Sequence, residues 1–122
     1  MKRALLLAIV LLVPSSSAAA KDLAFRLTLG SAVVAHALDT ATTVDCRARK
    51  VCTEVNPWLL RYERPIPFAL GKTTISTLTL WATAEIYERC ETKNCRWSAI
   101  GLNIAQAVGF SVIAAHNARV GK

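Results

Sequence analysis

Long apolar stretches separated by short polar connections dominate this chain. After an apolar N-terminal run, three such stretches cover about residues 23–44, 66–89 and 98–118. About 20 residues are what an α-helix needs to cross the hydrocarbon core of a membrane. None of the three has a proline beyond its first turn, and none shows sustained alternation of apolar and polar residues. The pattern therefore predicts an all-α protein whose three helices form a transmembrane bundle.

The first 20 residues have the pattern of a secretory signal peptide. Two basic residues precede an apolar run from Ala4 to Val13, Pro14 ends that run, and small residues lead up to Ala20. This apolar run is too short to span a membrane by itself. We expect cleavage after Ala20, which leaves a three-helix membrane domain over residues 21–122.

Composition and charge agree with a membrane location. Hydrophobic residues make up 53% of the chain, charged residues only 19%, and the mean hydropathy is +0.36. Of the 15 basic residues, Lys2 and Arg3 belong to the signal, so 13 basic and 8 acidic residues remain, a net charge of +5. No basic run is interleaved with aromatic residues, which argues against nucleic acid as a partner. Membrane lipid with anionic headgroups is the partner that this charge favours.

The connections predict an orientation. A cleaved signal leaves the mature N-terminus outside, so that residues 45–65 face the cytoplasm and residues 88–97 face outward. Seven basic residues then lie on the cytoplasmic side and four or five on the outer side, which agrees with the positive-inside rule. We expect the bacterial inner (cytoplasmic) membrane, with the periplasm as the alternative location.

Each predicted helix carries a stripe of polar residues on one face. In the first two helices they are three or four positions apart, and in the third the spacings are 3 and 11 positions, the second being about three helical turns. The stripes are His36, Asp39, Thr40 and Thr43 in the first helix, Lys72, Ser76, Thr79 and Thr83 in the second, and Asn103, Gln106 and Asn117 in the third. Polar residues in apolar helices usually face the interior of a bundle. We expect all three stripes to turn inward.

Asp39 and Lys72 lie at matching depths from the same end of the bundle. An unpaired Asp or Lys near the centre of a membrane helix costs about 2.5–3.5 kcal/mol on insertion scales, so the two are expected to form an ion pair. His36, His116 and Asn117 are expected to complete a hydrogen-bonded cluster, which Glu54 could join. Asn56 and Pro57 resemble the cap and first position of a short helical turn.

Four short motifs carry a resemblance to a known family. They are D-x-x-T-T (Asp39, Thr42, Thr43), E-x-N-P (Glu54, Asn56, Pro57), a lysine early in the next helix (Lys72) and a closing H-N (His116, Asn117). The chain resembles an uncharacterised family of small bacterial multi-pass membrane proteins. The resemblance implies a helical membrane protein of unknown function whose shared polar positions are these residues.

The four cysteines fall into two pairs in the two connections. Cys46 and Cys52 share the first connection, and Cys90 and Cys95 share the second. In a three-span protein these connections lie on opposite faces, so only Cys90–Cys95 is expected to be a disulfide, the inner pair staying reduced. The alternative is a soluble periplasmic bundle in which both pairs are oxidised. The C-x5-C and C-x4-C spacings do not match a zinc knuckle, and we expect no metal or cofactor.

A stripe of small residues marks the third helix. Gly101, Ala105 and Gly109 recur every four residues, a pattern that lets another helix backbone approach closely. The stripe either packs inside one chain or makes a homo-oligomer.

The motifs favour a small integral membrane protein that acts as a non-catalytic scaffold or modulator of an unknown protein partner. The alternatives are an oligomeric carrier of protons, ions or small solutes, the soluble bundle, and an intramembrane enzyme that uses the Asp, His and Lys cluster. Ser76 one turn after Lys72 could form a serine–lysine dyad, and His36 with Asp39 could hold a metal together with His116 or Glu54. Neither arrangement is specific, and the chain has no G-x-S-x-G or H-E-x-x-H motif.

Overall fold

The structure is a computed structural model that describes residues 23–52 and 65–120. These residues form three α-helices, which we label α1 (Leu23–Ala48), α2 (Pro65–Arg89) and α3 (Lys93–Arg119). All regular secondary structure in the two described ranges is helical. The all-α fold with three helices is therefore confirmed, while the predicted signal peptide lies outside the described residues.

The helix α3 begins at Lys93 and not at Ser98, where the apolar run starts. Thr92 has extended backbone geometry, and its side-chain oxygen accepts a hydrogen bond from the backbone N–H of Cys95 at 3.2 Å. This is the bond by which a threonine N-cap satisfies a free N–H of the first helical turn. The cap therefore adds a polar first turn that the hydrophobic pattern does not reveal.

The helix α1 runs on to Ala48 and ends in a Schellman motif. The backbone N–H of Lys50 donates to the Arg47 carbonyl at 2.9 Å, and that of Val51 donates to the Cys46 carbonyl at 3.2 Å. These bonds require a left-handed residue at the position after the cap, usually glycine. Lys50 has that conformation here, with φ of 56°.

Replacing Lys50 by glycine is expected to stabilise the protein by about 0.5–1 kcal/mol, because glycine removes the steric cost of the left-handed conformation. The free energy of unfolding, from a denaturant titration followed by circular dichroism, measures the change. Ala41→Gly, at an exposed position in the middle of α1, is the matched control and should lower the free energy of unfolding by about 1 kcal/mol. A loss of stability in both variants would contradict the assigned role of Lys50.

The three helices alternate in direction along the bundle. Arg49 Nη1 donates to the Val120 carbonyl at 3.1 Å, which brings the C-terminal ends of α1 and α3 together. At the opposite end the Phe25 and Tyr87 rings stack, with centroids 3.8 Å apart and planes inclined by 16°. The helices α1 and α3 make the most extensive contact, and α2 packs against both over a smaller area.

The apolar core is small and lies at the end where α2 passes into α3. Its buried members are Phe25, Leu29, Ala84, Tyr87, Ala99 and Ile100, with Leu80 packed against them. Toward the opposite end polar side chains are buried among apolar ones, with Asp39 fully buried there beside the apolar Phe68 and Cys46. The polar stripes of α1 and α3 therefore do turn inward, as their spacing predicts. The stripe of α2 does so except at Thr79, which is exposed and bonds to the Ile75 carbonyl of its own helix.

All three helices are long enough to span a membrane, but they differ in how apolar they are. All have 25 residues or more, so each is about 37 Å long or longer at 1.5 Å per residue, enough to cross about 30 Å of hydrocarbon. Among the helices of the described residues, only α3 is also apolar enough over its length to meet a spanning criterion. Charged and hydroxyl residues lower the hydropathy of α1 and α2. Composition therefore supports a membrane span for α3 and does not by itself support spans for α1 and α2.

Candidate functional site

The expected ion pair is present between α1 and α2. Lys72 Nζ lies 2.8 Å from Asp39 Oδ2, and the two side chains are 12% and 1% exposed. A buried charge without a partner is strongly destabilising, and a close partner offsets much of that cost. The matched depths in the sequence therefore correspond to a real contact.

Thr43 joins this ion pair to the third helix. Its hydroxyl accepts hydrogen bonds from Lys72 Nζ at 3.0 Å and from Asn117 Nδ2 at 2.9 Å, and it donates to Asp39 Oδ1 at 3.2 Å. One donor and two acceptor sites are all that a hydroxyl offers, so the hydrogen-bonding capacity of Thr43 is fully used. We call Asp39, Thr43, Lys72 and Asn117 the ion-pair cluster; it contains residues from all three helices.

An aromatic ring separates the ion-pair cluster from the basic end of α1. Phe68 is buried, Lys72 Nζ lies 6.0 Å from its ring centroid, and the Arg47 guanidinium lies 4.2 Å from the same centroid. Aromatic faces attract cations at these distances. Phe68 therefore helps to hold two positive groups near each other at this end of the bundle.

His36 is the centre of a second group of polar side chains, about one turn from Asp39. Its Nδ1 lies 2.9 Å from Ser76 Oγ, and its Nε2 lies 3.0 Å from Gln106 Oε1. Gln106 Nε2 in turn donates to Thr83 Oγ1 at 3.1 Å. We call His36, Ser76, Thr83 and Gln106 the histidine cluster. Phe110 packs on the imidazole with centroids 3.9 Å apart and so restricts the ring's orientation.

Among the described residues, two of the predicted site residues, His116 and Thr42, do not join either cluster. His116 is exposed on α3, because the inward position belongs to its neighbour Asn117. The Thr42 hydroxyl donates to the Leu38 carbonyl of its own helix at 2.8 Å. A metal site made by His36, Asp39 and His116 is therefore not formed. Glu54 and Asn56 lie outside the described residues.

The serine–lysine dyad considered from the sequence is also not formed. Lys72 is bonded to Asp39 and Thr43, and Ser76 is bonded to His36. Ser76, Thr83 and Gln106 belong to the predicted polar stripes but not to the predicted site. Their spacing in the sequence indicates that they face the interior of the bundle. It does not indicate that they meet His36, because that depends on how the helices are placed against one another.

A further buried polar residue lies closer to the apolar core. Asn103 is fully buried, and its Nδ2 donates to Thr28 Oγ1 over a long 3.4 Å. Its Oδ1 has no hydrogen-bond partner among the described residues. Together with the two clusters, Asn103 continues a series of buried polar side chains along much of the bundle interior.

Both cysteine pairs are disulfides. Cys46–Cys52 and Cys90–Cys95 have Cα–Cα distances of 5.7 and 5.4 Å, within the usual range for a disulfide. The expectation that Cys46 and Cys52 stay reduced is therefore wrong for this structure. The reason is local, because the Schellman turn after α1 brings the chain back and places Cys52 beside Cys46.

The stripe of small residues on α3 faces away from the other two helices. A Cβ added at Gly101 or Gly109 would meet no heavy atom within 4 Å, and Ala105 is exposed. The stripe therefore makes no close helix contact within the described ranges of the chain. Self-association through Gly101, Ala105 and Gly109 stays a prediction.

Comparisons with known proteins add no assignment. No protein-family model matches this chain, and neither a curated protein nor a solved structure gives a significant match. The resemblance to small multi-pass membrane proteins stays a prediction, and the function has to be argued from the clusters and the surface that surrounds them.

Proposed function

We propose that this chain is a small integral membrane protein whose ion-pair cluster fastens three helices together, and that the resulting bundle serves as a scaffold or modulator for a membrane partner. The proposed location is the bacterial inner membrane. In this function the cluster itself does no chemistry, because the Thr43 hydroxyl has no free hydrogen-bonding site and the charges of Asp39 and Lys72 are paired with each other.

The observation that carries this proposal is the distribution of apolar and polar side chains. Large apolar residues cover the outside of the bundle, among them Ile66 at 73% exposure, Leu70 at 64% and Val112 at 63%. Further examples on the three helices are Leu23, Leu27, Leu78, Trp81, Trp97, Ile104 and Val108. The inside holds an ion pair, a histidine and two buried asparagines. Soluble domains rarely expose so much apolar surface, whereas lipid is a suitable surrounding for it.

The hydroxyl groups on the outer surface support the same proposal. Thr74, Thr77 and Thr79 are exposed, and each donates its hydroxyl proton to the carbonyl four residues earlier, at 2.8 Å. Serine and threonine in membrane helices satisfy their hydroxyls in this way, since no water is present to do so. The threonines of α2 are therefore compatible with lipid even though they lower the hydropathy of that helix.

Charge at the two ends supports the proposed orientation. In the described residues, the end at the α1 C-terminus has four basic groups, Arg47, Arg49, Lys50 and Arg119, and one acidic group, Asp45, a net charge of 4 − 1 = +3. The opposite end has four basic groups, Arg26, Arg89, Lys93 and Arg96, and three acidic groups, Glu85, Glu88 and Glu91, a net charge of 4 − 3 = +1. The positive-inside rule favours the first end as the cytoplasmic one.

Carbonate extraction of cell membranes tests the proposal. We expect the protein to stay in the membrane pellet at high pH and to need detergent for solubilisation, because its outer surface is apolar on all three helices. A tagged peripheral protein of similar size, which carbonate releases, is the control. Recovery of the protein as a detergent-free monomer in the carbonate supernatant would contradict membrane integration.

One observation favours a second candidate, an exported soluble bundle held by two disulfides. The disulfides close opposite ends of the bundle, and a protein oxidised at both ends fits an oxidising compartment more simply than a membrane with one reducing side. Osmotic-shock fractionation of cells separates the two candidates. The membrane proposal predicts that the protein stays with the membranes, whereas the soluble candidate predicts that it is released with the periplasmic proteins.

A further inference from the structure

The hydrogen bonds of the histidine cluster fix where its protons are. The Thr83 hydroxyl donates its single proton to the Thr79 carbonyl at 3.0 Å, so Thr83 can only accept from Gln106. The Gln106 atom that faces Thr83 must then be the amide nitrogen. The amide oxygen of Gln106 consequently faces His36 Nε2, as the geometry has it.

This arrangement selects one tautomer of neutral His36. An amide oxygen accepts but does not donate, so Nε2 must carry the ring proton. The other ring nitrogen, Nδ1, then has a free lone pair directed at Ser76 Oγ, 2.9 Å away. In the neutral ring, Ser76 is therefore the donor and His36 the acceptor of this bond.

Ser76 differs from most hydroxyl residues of the helices in how its proton is used; Thr43, which donates to Asp39 Oδ1, is another exception. Eight serine and threonine hydroxyls donate to the carbonyl four residues earlier: Thr28, Ser31, Thr42, Thr74, Thr77, Thr79, Thr83 and Ser98. Ser76 instead bonds to the imidazole of another helix. A serine beside an oriented imidazole is the arrangement that activates a hydroxyl as a nucleophile.

We propose that Ser76, His36 and Gln106 form a nucleophilic centre in which His36 is the general base, Gln106 positions it, and Ser76 attacks an acyl ester. The three residues come from α2, α1 and α3 respectively, so the centre exists only in the assembled bundle. It goes beyond the proposed scaffold function and uses none of the residues of the ion-pair cluster.

The reaction that this geometry supports is acyl transfer followed by hydrolysis. Ser76 Oγ bonds to the ester carbonyl carbon while its proton passes to His36 Nδ1. The bond from that carbon to the alcohol oxygen breaks, and the leaving alcohol takes the proton from His36. A water molecule then attacks the acyl carbon while His36 takes one of its protons. The bond from that carbon to Ser76 Oγ breaks, Ser76 takes the proton from His36, and the carboxylic acid leaves.

The surroundings of Ser76 indicate the class of ester. Ser76 is half-buried near the middle of α2. Ile75 beside it is an exposed apolar residue, and Leu80, one turn further along the same face, packs against the apolar core. An ester with a medium or long fatty-acyl chain would match this surface, whereas a small polar ester would not. The choice of a fatty-acyl ester as the substrate rests on the proposed membrane location, but the activation of Ser76 does not.

Labelling of the purified full chain in detergent micelles with an alkyl fluorophosphonate tests the activation of Ser76. Peptide mass mapping should find the adduct on Ser76, at a rate at least about 100-fold above that of Ser31 and Ser98, since general-base assistance is worth about 10²–10⁴-fold. Ser31 and Ser98 are exposed and bonded to their own helices, which makes them controls inside the same molecule. Equal labelling of the three serines, or no adduct on Ser76, would overturn the proposal.

A variant separates base assistance from simple exposure of Ser76. His36→Asn should lower the rate of Ser76 labelling by about 100-fold or more, with helicity checked by circular dichroism. If this variant does not fold, the comparison of the three serines in the unchanged chain still decides. Hydrolysis of p-nitrophenyl octanoate in preference to the acetate tests the substrate class. An adduct on Ser76 without that preference would keep the nucleophile and overturn the assigned ester.

Discussion

Replacing Lys72 alone by methionine is expected to lower the free energy of unfolding by about 3–5 kcal/mol, because it leaves the Asp39 carboxylate buried without a counter-charge. Asp39 is 1% exposed and lies 2.8 Å from the Lys72 ammonium, so water cannot replace the lost partner. Asp39→Asn should also be destabilising, since it removes the carboxylate charge that lies 2.8 Å from the Lys72 ammonium. Denaturant unfolding in detergent micelles, followed by circular dichroism, measures both variants.

The double variant Asp39→Asn with Lys72→Met removes both charges and should recover most of the stability that either single change loses. Glu85→Gln is the matched control. Glu85 forms an ion pair with Arg89 at 2.6 Å, but the Arg89 side chain is 78% exposed, and such surface pairs contribute less than about 1 kcal/mol. A Lys72→Met variant as stable as the Glu85→Gln control would contradict the structural role of the ion-pair cluster.

The second large effect is expected at Thr43. Valine has the shape of threonine without its hydroxyl, so Thr43→Val should keep the packing and remove three hydrogen bonds at once. Lys72 Nζ and Asn117 Nδ2 each lose an acceptor, and Asp39 Oδ1 loses a donor. Unsatisfied buried polar groups cost about 1–3 kcal/mol each. We expect the free energy of unfolding to fall by about 2–3 kcal/mol in total, because partial rearrangement of the side chains gives some of these polar groups new partners.

Two further variants show whether the Thr43 hydroxyl is responsible. Thr43→Ser keeps the hydroxyl and should lose no more than about 1 kcal/mol, the contribution of one methyl group. Thr77→Val removes an exposed hydroxyl that bonds only to its own helix, at the Thr73 carbonyl, and should change stability by less than about 0.5 kcal/mol. Equal losses in Thr43→Val and Thr77→Val would show that Thr43 does not connect the helices.

We propose different roles for the two polar clusters. In the ion-pair cluster, the charges of Asp39 and Lys72 are paired and the Thr43 hydroxyl is fully bonded, as expected of a structural connection between helices. In the histidine cluster, the bond from Ser76 to His36 uses a hydroxyl that its own helix would otherwise satisfy. The stability variants address the first cluster and the labelling experiment addresses the second, so a negative result in one leaves the other testable.

Much of the fold could be predicted from the sequence. The apolar stretches predict three helices, and the three- and four-residue spacing predicts their polar faces. The pairing of Asp39 with Lys72 follows from their matching depths. These predictions succeed because hydrophobic period and helix rise are local properties, which about 20 residues of sequence determine. The boundaries were less certain, since the Thr92 cap and the Schellman turn at Lys50 lie outside the apolar runs.

The partners within the bundle were decided by the tertiary structure. Successive residues of a helix point about 100° apart, so the rotation of α3 about its axis determines that Asn117 and not His116 meets Thr43. The axial shift between α1 and α2 determines that Ser76 meets His36 and leaves Lys72 to Asp39. Rotation and shift depend on packing between helices that are distant in sequence. The sequence by itself determined which residues are polar and on which faces they lie, and only the packed bundle determined which of them make contact.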